Sequence, residues 1–429
     1  ARRRRALMRM MGEDAIAILP AAPHAVRNRD VEYPYRQDSD LLYLTGFPEP
    51  DAIAVICPER EHGEYVLFCR ERDPEREVWN GPRAGIEGAV ERYGADDAFP
   101  IGDVDEILPG IIEGRDRIYC TMGRYPSFDR QVMNWVNEVR SRVRSGGHVP
   151  HEFIALDYVL HDMRLYKSRD EVRAMQKAAR ISVTAHERAM EACRPGMHEY
   201  ELEAEFWHEF RRNGAEPAYG LIVGGGANGC VLHYVNNDDV LRDGDLVLID
   251  AGCESDGYAA DITRTFPVNG RFDDAQRAVY ETVLAAQKAA IEAVTPGAHW
   301  NEPHDTAVRI LTEGLVELGL LAGPADARIE DESYKRFFMH RVGHWLGMDV
   351  HDVGDYKVDG GWRELEPGMC LTIEPGLYIP PAEDIPEHLR GIGVRIEDDV
   401  HVTKEGREVL TADLAKEVAD IEARMLMRR

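Results

Sequence analysis

Two distant segments of this chain follow one pattern. Leu241-Arg-Asp-Gly-Asp-Leu-Val-Leu-Ile-Asp-Ala-Gly252 and Leu365-Glu-Pro-Gly-Met-Cys-Leu-Thr-Ile-Glu-Pro-Gly376 both read L-x-x-G-x-x-x-x-I-[DE]-x-G. What precedes them repeats as well. One helical stretch ends in Pro195-Gly196-Met197-His198, and a later one over Asp273–Val294 runs into Thr295-Pro296-Gly297-Ala298-His299. A second amphipathic helix follows each, closing at Gly214 in one case and at Gly319 in the other. The shared order makes a duplicated α-α-β-β unit the expected architecture, since internal self-similarity outweighs local propensity as a guide to fold. Two halves related by an approximate twofold axis bring their acidic strand ends together.

At 429 residues the chain has room for two or three domains. The repeat occupies the later part. Residues 1–160 read as a mixed α/β domain, with strand-like runs at Ala15–Leu19, Ala52–Cys57, Tyr65–Cys69 and Arg117–Cys120 and a helix over Ser127–Val143. The basic run Arg2–Arg5 reads as the solvated edge of a first helix that continues through Leu7, Met8 and Met11. Ser145-Gly146-Gly147 punctuates the chain, and a connecting segment leads to Tyr166. Ser168 with Glu171 then forms a capping box that opens a long helix running to Cys193. The expected division is 1–160 and 161–429, in an α/β (α+β) chain.

A carboxylate inside a buried sheet is costly unless it is paired or bound to a metal. Asp250 closes the apolar run Leu246–Ile249, and Asp261 follows beyond a turn at Gly257. In the second half Glu374 takes the Asp250 position, and Glu397 sits inside the apolar segment that begins at Gly393. Any one of the four alone reads as a turn cap or an ion pair. Supplied in pairs by a repeated unit, they point to a metal centre. His340 and His344 lie four apart, with His351 seven further on. Four carboxylates facing two divalent cations leave a site close to neutral, whereas without metal the acids must keep protons or repel one another. Oxygen-dominated ligation favours manganese, or another hard divalent ion, over a thiolate-type zinc site.

The segments LVLIDAGCESDGYAADITRTFPVNG, FFMHRVGHWLGMDVHDVG, LEPGMCLTIEPGLYIP and GIGVRIEDDVHVT closely resemble the proline-specific metallopeptidases of the pita-bread fold. The earlier EYPYRQDSDLLYLTGFPEPDA resembles the aminopeptidase P (Xaa-Pro aminopeptidase) branch of that superfamily. The resemblance implies an aminopeptidase-P-type domain over 1–160, followed by a pita-bread (creatinase/methionine-aminopeptidase-like) catalytic domain over 161–429 with an internal pseudo-twofold repeat. It implies removal of the first residue from peptides with proline second, at two divalent ions, Mn²⁺ foremost. Asp250, Asp261, His344, Glu374 and Glu397 become the metal ligands on this reading. Asp261 and Glu397 bridge the ions, Asp250 serves one, and His344 and Glu374 serve the other. Glu374 doubles as proton carrier, while His233, His340 and His351 are the substrate-side histidines, with His340 or His351 donating to the oxyanion. Tyr378, Arg395 and Trp79 complete the set as substrate-binding residues, Trp79 through a neighbouring copy in a homodimer or homotetramer. One departure stands out: Arg341 occupies a position in the His motif where the relatives carry smaller residues.

Other classes fit poorly. A formal net charge of −27 argues against nucleic-acid and anionic-membrane partners, which gain affinity from clustered positive charge. No apolar run reaches the roughly eighteen residues that a membrane span requires, and no signal-peptide core follows the first arginines. Seven scattered cysteines without a C-x-x-C pair fit core positions in a reducing cytoplasm. Gly224 to Gly229 satisfies G-x-G-x-x-G, yet the β-like residues Cys230–Val235 follow where a dinucleotide site needs a helix. No H-E-x-x-H or G-x-S-x-G motif is present. A prolidase, which uses the same centre on Xaa-Pro dipeptides, is the nearest alternative. A non-catalytic binding protein on the same fold predicts broken ligand positions, and all five are intact. Creatinase-like chemistry on a non-peptide substrate is weaker still, because the whole-chain resemblance lies elsewhere.

Overall fold

The glycines of the repeated pattern do the same work in both halves. In a computed structural model of the chain, which describes residues 1–426, Gly244 and Gly368 adopt φ of 88° and 101° at the turns feeding strands Leu246–Asp250 and Cys370–Ile373. A residue with a Cβ is strained there. The closing glycines meet a different demand. A Cβ on Gly252 would lie 1.8 Å from the carbonyl oxygen of Ala260, and one on Gly376 would lie 2.8 Å from that of Val394. The Pro-Gly-x-His turns match too. Gly196 and Gly297 donate their N–H groups to the carbonyls of Leu241 and Leu365 at 2.8 Å each, and the N–H groups of those leucines return the bond to Met197 and Ala298. Each half thereby ties the start of its second helix to the start of its acidic strand.

The chain divides into two compact units, Ala1–Met163 and a second beginning at Arg164. The first is built on a six-stranded mixed sheet in the order Asp97–Pro100, Tyr65–Cys69, Ile53–Ile56, Ala15–Pro20, Arg117–Cys120, Glu152–Ala155. Its three central strands (Tyr65–Cys69, Ile53–Ile56 and Ala15–Pro20) are buried at every residue. They read as unbroken apolar runs because helices such as Val104–Ile112 and Pro126–Ser141 pack into the same core. The two outermost strands lack that pattern and were not evident from the sequence. Helix Arg2–Met11 forms as expected, with Leu7 and Met11 fully buried, but its arginines are not merely solvated. The guanidiniums of Arg3 and Arg4 lie 4.0 Å from the ring centroids of Tyr43 and Tyr65 and donate to the carbonyls of Tyr43 and Leu44. A planar, weakly hydrated guanidinium can leave water for an aromatic face.

In the second unit, helices Arg169–Ala192 and Glu199–Arg212 form one pair, and Asp274–Ala293 and Glu302–Glu317 the other. The Ser168–Glu171 capping box is present. The first half contributes the antiparallel strands Ile222–Gly225, Leu246–Asp250 and Thr263–Pro267. The second contributes Cys370–Ile373, Asp398–Thr403 and Gly406–Val409, with Gly376–Tyr378 paired to Gly393–Arg395. One continuous hydrophobic core runs through both halves. Residues 231–235 form no strand. After the 3-10 turn Gly226–Cys230 the chain runs irregularly, and Leu232 and Val235 face a cavity instead of a partner strand.

Candidate active site

Asp250 ends its strand opposite Ile222 on one side and Thr263 on the other. The turn Asp256-Gly257, with φ of 54° and 78°, joins Cys253–Ser255 to Tyr258–Ala259 and returns the chain so that Asp261 faces Asp250. The Tyr219 hydroxyl lies 2.6 Å from Asp250 Oδ1 and equally close to Asp261 Oδ1. From the second half, Glu374 leaves the end of strand Cys370–Ile373, and the N–H of Glu397 is held by the Thr263 carbonyl at 3.0 Å. Donor atoms of Asp261, His344 and Glu397 all lie within 4.8 Å of one another. His344 Nε2 is 3.4 Å from Asp261 and 3.7 Å from Glu374.

These acids are buried, Asp261 at 5% exposure and Glu397 at 1%. Burial, then the charge of Asp250, raises the pKa of Asp261; burial, then Asp261, lifts Glu397 well above the carboxylate range. Glu374 rises to about 7, again through burial first, against the opposing pull of His344 and Arg395. The His344 ring tells the same story from the other side. Its Nδ1–H donates to the Trp345 carbonyl at 3.0 Å, so in the neutral ring the Nε2 lone pair would face carboxylate oxygens. Burial disfavours its charge, but the hydrogen bond to Asp261 and the charges of Glu374 and Asp261 outweigh that and carry its pKa to about 9. Positive charge is therefore required among these five side chains, and Tyr219 has one proton for two carboxylates. The donor set fits divalent metal, with an imidazole whose other nitrogen is already fixed by a carbonyl.

The five side chains line one cavity of about 800 Å³ together with His233, His340, His351 and Arg395. Arg395 is 3% exposed and donates to Asp250 Oδ2 at 2.6 Å, to Thr263 Oγ1 at 3.0 Å and to the Tyr378 hydroxyl at 3.0 Å. Tyr378 does not line the cavity, and its hydroxyl donates to His340 Nε2 at 2.8 Å. The His340 Nδ1–H meets the Arg341 carbonyl at 2.7 Å, and burial beside Arg395 lowers the ring's pKa to about 4. Both nitrogens of this neutral ring are committed. His351, the other histidine read as an oxyanion donor, lines the same cavity. Its pKa is lowered by burial, then by His344, whose ring centroid is 4.3 Å away. Trp79 belongs to the first unit, is 86% exposed and does not line this cavity.

Three supporting residues escaped the sequence reading. Tyr219 carried no signal beyond an aromatic before Gly220. Thr263 donates to Glu397 Oε2 at 2.7 Å and accepts from Arg395. Asp399 accepts the N–H of Asp261. The run Glu397-Asp398-Asp399 in an apolar segment was the available clue. Strand alternation sends Asp398 to the opposite face. There Arg264 at 2.7 Å and Lys416 at 2.6 Å overcome burial and hold its pKa at about 2.

Comparison with known proteins identifies the family of the chain. Residues 173–404 match the model of metallopeptidase family M24, and residues 1–119 match the aminopeptidase P N-terminal domain. The chain belongs to metallopeptidase family M24, and its second unit is a pita-bread catalytic domain of a metal-dependent hydrolase. Within that family it stands with aminopeptidase P. It is 47% identical over 430 residues to Xaa-Pro aminopeptidase of Escherichia coli K12, covering 100% of this chain and 97% of that protein. The structure of Pseudomonas aeruginosa aminopeptidase PepP superposes with a TM-score of 0.98 at 62% identity, covering 99% of this chain and 97% of the other. Proline aminopeptidase P II from Yersinia pestis gives a TM-score of 0.96 at 50% identity, over 100% and 98%.

Proposed function

We propose that this protein is an Xaa-Pro aminopeptidase that uses two divalent ions, manganese by preference, to release the first residue of peptides with proline second. The observation that carries the reading is the convergence of Asp250, Asp261, His344, Glu374 and Glu397 on one buried point, in a chain whose full-length relatives are Xaa-Pro aminopeptidases. Asp261 and Glu397 would bridge the ions, Asp250 would hold one, and His344 and Glu374 the other. When bound, the ions supply Lewis-acid chemistry, polarising the scissile carbonyl and lowering the pKa of water. The oxygen-rich donor set supports manganese.

The chain's own residues supply the rest. Glu374, which lines the cavity beside Asp261 and His344, takes the proton of the attacking water at a carboxylate oxygen and delivers it to the proline nitrogen. That nitrogen must be protonated to leave. His351 and His233 line the cavity with no side-chain hydrogen bond among the described residues, and they are free to hold the carbonyl oxygen and the peptide. Arg395 and Tyr378 position Asp250 and His340. A Xaa-Pro bond lacks an N–H, so recognition falls to shape around the ring and to the free amine beside the acids. Seven free cysteines support a reducing, cytoplasmic setting. Among the described residues no helix is long and apolar enough to cross a membrane. Exposed Val78 and Trp79, at 83% and 86%, support the homodimer or homotetramer that the family resemblance implies.

The test is hydrolysis of Xaa-Pro-Yaa tripeptides beside Xaa-Pro dipeptides, with and without Mn²⁺. Metal-dependent cleavage of the tripeptides is expected. Cleavage of dipeptides alone would make the enzyme a prolidase.

A further inference from the structure

The wall of the cavity carries a cation that the reaction does not use. Arg341 lines the cavity, is exposed, and lies with its guanidinium carbon 5.0 Å from the ring centroid of Trp362, another lining residue. Lys357 Nζ is 4.4 Å from the same ring centroid. The chain carries a formal net charge of −27, so acids far outnumber cations. Among the described residues Arg341 forms no ion pair, and its side chain makes one hydrogen bond, from Nη2 to Asn301 Oδ1. Asn301 is in turn oriented by its own amide, which donates to Asp305. The indole and the asparagine thus aim the guanidinium while most of its N–H donors stay without a partner. An Arg fork so presented matches a carboxylate, which it can hold by two parallel bonds.

An aminopeptidase substrate enters amine first. With its amine and scissile bond at the acids, the residues after proline lead out past the exposed wall. We propose that Arg341 is a specificity-determining residue that recognises a substrate carboxylate beyond the proline, either the free C-terminus of a short peptide or an acidic side chain. The inference rests on the Xaa-Pro aminopeptidase reading.

The test uses the full chain with saturating Mn²⁺ and four substrates. Ala-Pro-Gly is compared with its C-terminal amide, and Ala-Pro-Glu amide with Ala-Pro-Gln amide. The wild-type enzyme should show a KM about tenfold lower for the carboxylate-bearing member of at least one pair. In R341Q that gap should close while kcat on the neutral peptides stays within about twofold. R341K, which keeps the charge but loses the fork, should retain part of the gap. A gap in the first pair assigns the C-terminus, and one in the second assigns the side chain. Equal KM values in both wild-type pairs, or a gap that survives in R341Q, would overturn the inference. Failure of the wild type to cleave any of the four would instead refute the aminopeptidase reading. A uniform fall in kcat for R341Q on all four would mark Arg341 as structural and also overturn it.

Discussion

In the first half of the catalytic unit the acidic strand ends with Asp250 opposite Thr263, whereas in the second the last paired residue is Ile373 opposite Asp398, which sets Glu374 beside Glu397. One half therefore offers shorter acids separated by a turn, and the other offers longer acids on adjacent strands, together with the histidines His340, His344 and His351. The supports cross between the halves. Arg395 of the second half holds Asp250 of the first at 2.6 Å, and Thr263 of the first holds Glu397 of the second at 2.7 Å. Duplication supplied matching backbones, with glycines serving the same turns. Divergence supplied the chemistry, and the reciprocal hydrogen bonds mean that neither half can complete the site alone.

The largest effect is expected where the halves meet. Asp261→Ala or Glu397→Ala removes a carboxylate assigned to both ions, and the loss of several kcal/mol of charge stabilisation should cut kcat/KM about a thousandfold or more. Metal content measured on the purified variants should fall with it. Active, undialysed wild-type enzyme without divalent metal would sink the dimetal reading.

Glu374→Gln tests whether the second half contributes a proton carrier as well as a ligand. It should lower kcat by about a hundred- to a thousandfold, and the loss should persist in a titration with Mn²⁺ to saturation. Recovery of most activity with excess metal would reduce Glu374 to a ligand.

The equivalence of the two backbones is tested by denaturation. Gly244→Ala and Gly368→Ala, at φ of 88° and 101°, should each cost about 1–2 kcal/mol. Gly252→Ala should cost more than about 3 kcal/mol, because its Cβ would meet the Ala260 carbonyl 1.8 Å away and backbone cannot give way as a side chain does. Equal losses at all three positions would contradict the separate roles of opening and closing glycines.

The smallest expected effect is on thermal stability. In metal-free protein the folded pKa of Glu374 is about 7 against an ordinary 4.5, and that of His344 is about 9 against 6.5. Both are raised, so the folded state binds more protons, and their stabilisation is complete below the ordinary values and lost as pH climbs through the folded ones. The chelated protein should therefore lose Tm between about pH 6 and 9, and added divalent ion should raise Tm more at pH 8 than at pH 6. A Tm of the chelated protein that rises over this interval would contradict the assignment.

What the amino-acid sequence determined was everything written in local pattern. The doubled L-x-x-G-x-x-x-x-I-[DE]-x-G announced two equivalent strands and their acids. The capping box at Ser168 opened its helix on time, and unbroken apolar runs marked the central strands of the first unit. Turns, caps and buried strands depend on neighbours a few residues away, so their rules are legible in order along the chain. The remainder was decided by contacts between residues far apart in sequence. Tyr219 becomes a clamp only because two strands carry Asp250 and Asp261 to its hydroxyl. The Nε2 lone pair of His340 is taken because Tyr378, itself held by Arg395, folds beneath it. Asp398 and Asp399, side by side in sequence, part company because alternation aims one at Arg264 and the other at the Asp261 backbone. A proton, a lone pair or a charge finds its partner by distance in space, and only the tertiary structure specifies that distance.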